Sequence, residues 1–448
     1  MTAILLLILV CYAVIAWRKL EWGIYSILLL LPTYLIRFSA VSIPTTFLEV
    51  LILIAISIFT IKKRNEIVDF FKILWSEKGL RRALWIAADA LIISATASVF
   101  VSENRLAALG IWKAYFIEPA LFAILLVSVI KTKEQITKAC VALAVCAVSI
   151  ALVALWQKMV GIGVPGHVPA DIRVTSVYGY PNAVGLFLGP IVLLWYATLE
   201  SFLTRYQAGI KRALLIALGI FTTVLLFAAM AASESTAALL ATAAASFFFF
   251  FFLHMRTRRL AITAALALVV VVFVSPPLLD KLQERVSLQD WSGHVRKVTW
   301  TESVQMLQNN WLTGAGLAGY KAAMEPYHKA TYLEIFLYPH NSVLNVWSET
   351  GLYGLLSFSV FIAVLFIMLV RASMRYARAQ KKVEYAISLA LLAVLIQMGI
   401  QGLVDVPYFK NDLSVLFWAV VALSYIIYSN SLKVDPALTL EKSNLVRT

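Results

Sequence analysis

Long apolar runs recur along the whole chain, and they restrict its possible folds more than any other feature. Each run supplies about 20 apolar residues, which is the length that a helix needs to cross the hydrocarbon core of a bilayer. With 61% hydrophobic and 14% charged residues, the composition excludes a soluble globular domain. The sequence lacks the alternating segments of about ten residues that are typical of a closed β-barrel. It therefore predicts an all-α polytopic membrane protein.

The apolar runs define the predicted number of helices. Thirteen candidate spans can be read, and twelve is nearly as well supported because the first two are short enough to form one tight hairpin. Met1 leads directly into the first run without a basic segment, so no cleavable signal is expected. The predicted bundle of about 12–13 transmembrane helices occupies residues 3–17, 22–36, 46–62, 83–101, 113–130, 136–160, 183–199, 212–232, 236–253, 260–278, 352–371, 384–404 and 412–429.

Basic residues predict the orientation of the bundle. Most of the 38 Lys and Arg residues fall in every second connection, at residues 18–19, 62–82, 131–138, 205–212, 256–259 and 371–382. Because cytoplasmic loops retain Lys and Arg, we expect these connections to face the cytoplasm and the others to face outward. The predicted organisation is an N-terminal bundle (1–278), a large extracytoplasmic (periplasmic) loop containing helices (279–350), C-terminal transmembrane helices (351–430) and a cytoplasmic tail (431–448).

The net charge of +14 has an explanation in this topology. It reflects the basic connections and their attraction to anionic membrane lipids, so no nucleic-acid partner is expected. Residues 64–80 carry apolar side chains at helical spacing among charges, which predicts an interfacial helix on the inner leaflet. Cys11, Cys140 and Cys146 lie inside predicted spans, where they are interpreted as small packing residues.

The predicted outer loop at residues 279–350 is far longer than topology requires, and long loops tend to carry function. A helix is expected in its middle, with Ser292 as a candidate N-cap. Its apolar stripe follows the spacing i, i+4, i+7 and i+11, through Trp300, Val304, Leu307 and Trp311.

Arg296 lies one turn before Trp300 on that stripe. A cation on a buried face near a helix N-terminus requires a compensating anion, so Arg296 is a candidate anion ligand. A salt bridge to Glu302 or Asp290, or snorkelling of the side chain to water, explains its position equally well.

The segment Pro339-His340-Asn341-Ser342 directly precedes a helix that is predicted to enter the membrane from outside. Asn341 or Ser342 can cap this helix, and its dipole then favours a neutral imidazole that is able to accept a proton. His340 is therefore a candidate general base, although a lone histidine more often has a structural role. Upstream, three glycines permit close backbone approach to a ligand or serve only as turn residues, namely Gly314, Gly316 and Gly319.

A second outward connection, residues 161–182, ends in Tyr180-Pro181-Asn182 at the start of another span. Two helix N-termini on one membrane face would offer free N–H groups to a phosphate, and Arg173 could complete that site. The simpler interpretation is that Pro181 and Asn182 merely start a helix.

Acidic residues near this face are few, and each is either structural or functional: Glu118, Glu234, Glu349 and Asp405. They form no dense cluster suited to Mg²⁺, so chemistry without a metal or another cofactor is expected.

These motifs, taken in their order along the chain, resemble the O-antigen ligase and O-antigen polymerase superfamily. The resemblance extends over residues 173–410. It departs from the family pattern where Ser233 is followed by Glu234 rather than by Arg, so an Arg that could contact phosphate is missing at this position. The motifs that carry it are Arg173 before Pro181-Asn182, Arg296 with Trp300, Leu312-x-Gly314-x-Gly316-Leu317 with Tyr320, His340-Asn341, Glu349-x-Gly351-Leu352-x-Gly354, and Gly402-Leu-Val-Asp405-Val-Pro407.

The resemblance implies a membrane glycosyltransferase in a bacterial cytoplasmic (inner) membrane. Such an enzyme moves a glycan from an undecaprenyl or other polyprenyl diphosphate to an acceptor hydroxyl, on a glycan or the lipid A core, with inversion and without a metal. His340 and Arg296 are then the expected catalytic residues. The expected diphosphate or glycan ligands are Arg173, Tyr180, Asn182, Asn341 and Glu349.

Other functions remain open on the sequence. A transporter or flippase of lipid-linked oligosaccharide would bind the same carrier, but it predicts broken helices and charges deep in the spans. A non-catalytic assembly component is a further alternative. Ligase, polymerase and protein-glycosylating activities use the same donor, so the sequence does not distinguish them.

Overall fold

The computed structural model describes residues 2–40, 43–63, 76–165 and 172–434. In chain order its helices are α1 (Thr2–Arg18), α2 (Leu20–Leu29), α3 (Phe47–Lys62), α4 (Gly79–Val101), α5 (Arg105–Val129, with a π-helical turn at Trp112–Ile117), α6 (Lys133–Val160), α7 (Asn182–Leu203), α8 (Ile210–Ala232), α9 (Thr236–Leu253), α10 (Met255–Val274), α11 (Pro276–Val286), α12 (Trp291–Asn309), α13 (Tyr320–Met324), α14 (Ser342–Arg378), α15 (Lys382–Gly402) and α16 (Asn411–Ser431).

Strands are few and short in the described residues. β1 (Arg37–Ala40) pairs antiparallel with β2 (Ile43–Thr46), and β3 (Val164–Pro165) pairs antiparallel with β4 (Ile172–Arg173). Short 3₁₀ turns lie at Leu31–Leu35 and Glu325–Tyr327. The prediction of an all-α fold is confirmed.

Ten helices of the described chain are long and apolar enough to cross a membrane, namely α4 to α10 and α14 to α16. The protein is therefore a multi-pass membrane protein, as predicted. The first three predicted spans coincide with shorter helices of 17, 10 and 16 residues. α2 ends at Leu29, well before the predicted boundary, because Pro32 lacks the N–H that a continuing helix would use.

The predicted interfacial helix at 64–80 falls mostly on residues 64–75, which lie outside the described residues, as do positions 435–448 of the predicted tail.

Burial differs sharply among the spans. In α16, 94% of an apolar 18-residue stretch is buried inside the protein, whereas in α10 the buried share of the corresponding stretch is 0%. α16 packs between α5 and α14 at the centre of the bundle, while α10 contacts mainly α9 at its edge. The apolar surface of α10 is thus left for lipid.

The connections that are rich in basic residues lie at one end of the bundle. Lys133 at the start of α6 pairs with Glu384 at the start of α15, with 3.2 Å between Nζ and Oε1. Asn430 at the end of α16 donates a hydrogen bond to the Lys131 carbonyl. The opposite end, about 33 Å away along the 22 residues of α7, holds Arg173 and Asn182.

α14 is broken near its N-terminal end at Gly351, where φ is 69° and ψ is −176°. This backbone conformation is accessible essentially only to glycine. A Cβ at Gly351 would lie 2.3 Å from the Leu312 carbonyl oxygen, and one at Gly314 would lie 2.4 Å from the Ser348 oxygen. The glycine-rich segment therefore approaches the broken helix, and its close contacts are made with the chain itself.

Candidate functional site

A cavity of about 290 Å³ lies at the end of the bundle that is opposite the basic connections. α7, α9, α11, α12 and the turn after α15 contribute its wall. Guanidinium groups bind phosphate and carboxylate oxygens through a planar fork of N–H donors, so three of them in one cavity indicate an anion site. The charged and amide residues of the wall are Arg173, Asn182, Glu234, Arg285, Asp290, Arg296 and Asp405.

Arg173 is held at this wall by the β3–β4 hairpin. The N–H of Val174 donates to the Ala232 carbonyl at the end of α8, which fixes the end of β4. Nη2 of Arg173 donates to the Ser233 carbonyl at 3.2 Å and to Oδ1 of Asn182 at 3.1 Å. Two neutral oxygens therefore orient the guanidinium, and the Glu234 carboxylate lies 4.0 Å from its Nε.

Asn182 connects Arg173 to the far end of the sequence. Its Oδ1 accepts from Arg173, and its Nδ2 donates to Oδ2 of Asp405 at 3.2 Å. Asn182 does not cap α7, because Pro181 occupies the N-cap position and no side chain caps the helix. Asn182 is thus a bridge between the two sides of the cavity.

Asp405 is the buried centre of this network, with a side chain that is only 3% exposed. Oδ1 accepts the N–H of Val406 at 2.9 Å and lies 3.6 Å from Nδ1 of His340. Burial by itself raises the pKa of Asp405, but the facing His340 and the Val406 N–H together hold that pKa below its ordinary value. Asp405 is therefore a carboxylate that faces His340.

His340 lies beside the cavity rather than in its wall, with Asp405 between them. Its φ of 50° is unusual for a residue with a side chain and costs about 1–3 kcal/mol. Nδ1 has no hydrogen-bond partner among the described residues, since 3.6 Å from Asp405 is too long for one. The rings of Tyr338 and Phe336 pack at 4.7 and 5.2 Å between centroids.

The turn before α14 is held from both sides. Nε1 of Trp300 on α12 donates to the Pro339 carbonyl at 2.9 Å. Asn341 is the N-cap of α14, as predicted, and its Nδ2 also donates to the Leu403 carbonyl. These contacts fix the backbone on both sides of His340.

Arg296 reaches the cavity from α12. Its Nε donates to the Val404 carbonyl at 2.9 Å and its Nη1 to Oγ of Ser292 at 2.8 Å.

Neither Asp290 nor Glu302 forms an ion pair with Arg296 among the described residues. Asp290 instead accepts the N–H of Gly293 as the N-cap of α12, and Glu302 accepts from His328 and from the backbone N–H groups of Lys329 and Ala330. The proposed Ser292 cap and the proposed salt bridges of Arg296 are therefore wrong.

The predicted apolar stripe of α12 is also wrong in part. Val304 and Trp311 are exposed, and Trp311 lies beyond the end of the helix. The buried face instead carries Thr299, Ser303 and Met306. The small hydroxyl residues allow close packing because each hydroxyl donates to a carbonyl one turn earlier.

The first N–H groups of α7 and α14 are already engaged by the chain. Val184 donates to the Pro181 carbonyl, and Val343 and Leu344 donate to Oδ1 of Asn341. The prediction that two free helix N-termini bind an anion is therefore not supported by this geometry. The cationic groups of the cavity wall are guanidinium groups instead.

Glu349 and Tyr180, two of the predicted substrate-binding residues, make their contacts away from the cavity wall. The Glu349 carboxylate is buried on α14 and accepts the Ala318 N–H at 2.7 Å. The Tyr180 ring centroid lies 5.6 Å from Nζ of Lys410, which is also 3.8 Å from the ring of Tyr178. Their predicted role in substrate binding stays untested.

Two residues of the cavity have roles that the sequence does not predict. Arg285 at the end of α11 lines the wall, and Glu234 lies 4.0 Å from Nε of Arg173. The helical pattern of residues 276–286 was the available signal for Arg285, since it places a cation in the last turn of a helix. Among the described residues, no group of three or more His, Cys, Asp or Glu side chains is arranged to hold a metal ion.

This fold and this cavity define a multi-pass helical membrane protein with an arginine-lined cavity at one end. Residues 221–359 match the family model described as O-Antigen ligase, which supports the predicted resemblance to the O-antigen ligase and polymerase superfamily. The match includes Arg285, Arg296 and His340 but ends before Asp405. Comparison with curated proteins finds no match for the chain.

Proposed function

We propose that this protein is a glycosyltransferase that moves a glycan from a polyprenyl diphosphate carrier to an acceptor hydroxyl. The observation that carries the proposal is the connection of Arg173, through Asn182 and Asp405, to the side of His340. One network thus joins Arg173, which is suited to binding a diphosphate, with His340, which is suited to accepting the proton of a hydroxyl. The superfamily match supports the same class of reaction.

The donor occupies the cavity with its diphosphate against Arg173 and Arg296. Both guanidiniums now donate to neutral oxygens, so a phosphate can take over N–H groups without breaking an ion pair of Arg296. Charge-assisted hydrogen bonds of this kind are about twice as strong as neutral ones. α10 has no buried residue, and it lies next to α9 and α11, which contribute to the cavity wall. The polyprenyl chain can therefore reach the lipid beside α10.

His340 serves as the general base. Nδ1 faces Asp405, which leaves Nε2 to accept the proton of the acceptor hydroxyl. The acceptor oxygen bonds to the anomeric carbon as the bond from that carbon to the phosphate oxygen breaks. The diphosphate leaves with the electron pair, and the arginines stabilise its growing charge. A single displacement inverts the anomeric configuration, and no step is assigned to a metal ion.

The reaction takes place on the outer face of a bacterial inner membrane, according to the charge pattern of the connections. The acceptor is either another carrier-linked glycan, as in a polymerase, or a lipid A core sugar, as in a ligase.

The products formed by the purified protein test this function. The protein is reconstituted in lipid discs with a defined undecaprenyl diphosphate oligosaccharide, with and without lipid A core. Longer carrier-linked chains indicate a polymerase, and core-dependent transfer indicates a ligase. Absence of any transferred product, together with movement of the donor across proteoliposome membranes, would contradict the proposal in favour of a flippase.

A further inference from the structure

Arg285 is placed in the cavity by the junction between α11 and α12. The N–H of Leu288 donates to the Arg285 carbonyl, and that of Gln289 donates to the Glu284 carbonyl. With Leu288 at a φ of 54°, these bonds form the Schellman motif that ends many helices. Asp290 then caps α12 directly. The turn therefore fixes the position of Arg285 relative to α12, which carries Arg296.

α11 packs little against the rest of the described bundle. It has no buried residue, and α10, which precedes it, has none either. On the cavity side, Nη1 of Arg285 donates to Oγ1 of Thr236 at the start of α9. A hydroxyl is a weak partner for a guanidinium, so Arg285 can exchange it for an anion at little cost.

The charges of the cavity suggest which anion fits. Arg173, Arg285 and Arg296 contribute three positive charges. Among the described residues, the one carboxylate within 4.0 Å of any of these arginines is Glu234, beside Arg173. Asp290 and Asp405 accept hydrogen bonds from N–H groups of the chain. Arg285 and Arg296 thus each lack a carboxylate within 4.0 Å among the described residues, so each can face one of the two negative charges of a diphosphate diester, whereas a monophosphate diester carries a single negative charge.

The pKa of Arg173 reflects its proximity to the other two arginines. Burial lowers the pKa of Arg173, Glu234 raises it, and the positive charges of Arg285 and Arg296 lower it further. The three cations therefore repel one another across the cavity, and a bound anion relieves that repulsion.

We propose that Arg285 binds the second phosphate of the donor and is the residue by which the cavity distinguishes diphosphate-linked from monophosphate-linked carriers. This inference rests on the proposed function. Arg173 and Arg296 bind the phosphate next to the sugar, and Arg285, brought by a peripheral helix, binds the phosphate next to the lipid.

The test measures binding of two probes, in which one sugar is attached to undecaprenol through a diphosphate or through a monophosphate. Arg285→Gln should weaken diphosphate binding by about 10- to 100-fold, as expected for loss of a charge-assisted contact, and should change monophosphate binding less than about threefold. Arg285→Lys should weaken diphosphate binding less than Arg285→Gln does. Lys281→Gln removes an exposed charge from the same helix, outside the cavity, and should change neither affinity.

The outcomes separate this inference from the proposed function. If Arg285→Gln retains the preference for diphosphate, or weakens both probes equally, Arg285 does not read the second phosphate. If Arg173→Gln and Arg296→Gln still lose donor binding in that case, the cavity remains the donor site. If none of the three variants loses binding while all unfold at the wild-type temperature, the proposed function itself fails.

Discussion

Asn182 and Asp405 are 223 residues apart in the chain, yet their side chains are hydrogen-bonded at the centre of the candidate site. Asn182 also accepts from Arg173, and Asp405 faces His340. In the proposed reaction this arrangement couples the leaving diphosphate with the attacking hydroxyl. At the scale of single residues, Asp405 is therefore the positioning residue of the site.

Replacing Asp405 with Asn keeps its size but removes the charge that faces Nδ1 of His340. We expect turnover to fall by about 10²-fold, because the imidazole loses the group that orients it and stabilises its protonated form. The acidic limb of the pH–rate profile should also move to lower pH. Asp405→Glu should restore part of the rate. An unchanged profile in a stably folded Asp405→Asn variant would reduce Asp405 to a structural role.

Part of this site follows from the sequence. Arg173, Asn182 and Arg296 are predicted because they lie near outward helix starts, and Asn341 is predicted as a cap from its position. The role of Asn182 is not predictable, since Pro181 and Asn182 form an ordinary helix start and its true partner, Asp405, is distant in sequence.

At the scale of secondary structure elements, the break in α14 shapes the outer loop. Gly351 interrupts the helix, and the N–H of Leu352 then donates to the Leu312 carbonyl rather than within the helix. This contact ties the glycine-rich segment to the helix that His340 precedes. The glycines were predicted to allow close approach, but their partner could not be inferred because the contact joins elements that are distant in sequence.

Gly351→Ala should lower the free energy of unfolding by about 2–5 kcal/mol, because the new Cβ would strain the backbone and overlap the Leu312 carbonyl. Gly399→Ala on α15 is the matched control, since its Cβ would meet no atom within 4 Å. That change should be neutral or stabilise by about 0.5–1 kcal/mol. Equal thermal unfolding of the two variants would show that the break is not required.

At the scale of the whole molecule, apolar runs and basic connections predict most of the architecture. Ten of the predicted spans match helices that are long enough to cross a membrane, because about 20 apolar residues have few alternatives to a spanning helix. Arg285 shows where this reasoning ends. A charge in a peripheral helix looks like any other loop charge until the contact of Arg285 with Thr236 on α9 and its place in the cavity wall are known.

The orientation of the molecule can be tested with single cysteines in a variant that lacks Cys11, Cys140 and Cys146. Gln289→Cys and Lys321→Cys are exposed near the cavity end and should react with a membrane-impermeant thiol reagent in intact cells. Arg378→Cys, at the opposite end, should react only after permeabilisation. The reverse pattern would place the cavity in the cytoplasm and overturn the predicted topology.

The central claim is that His340 performs chemistry on a donor that the arginines bind, and one pair of measurements on His340→Ala tests it most directly. Turnover of an undecaprenyl diphosphate oligosaccharide should fall by about 10² to 10⁴, the usual contribution of general acid–base catalysis. The dissociation constant of the donor, measured on the same preparation, should change less than about twofold. Near-normal turnover in stably folded His340→Ala and His340→Gln variants would contradict the account and leave transition-state stabilisation to Arg173 and Arg296 alone.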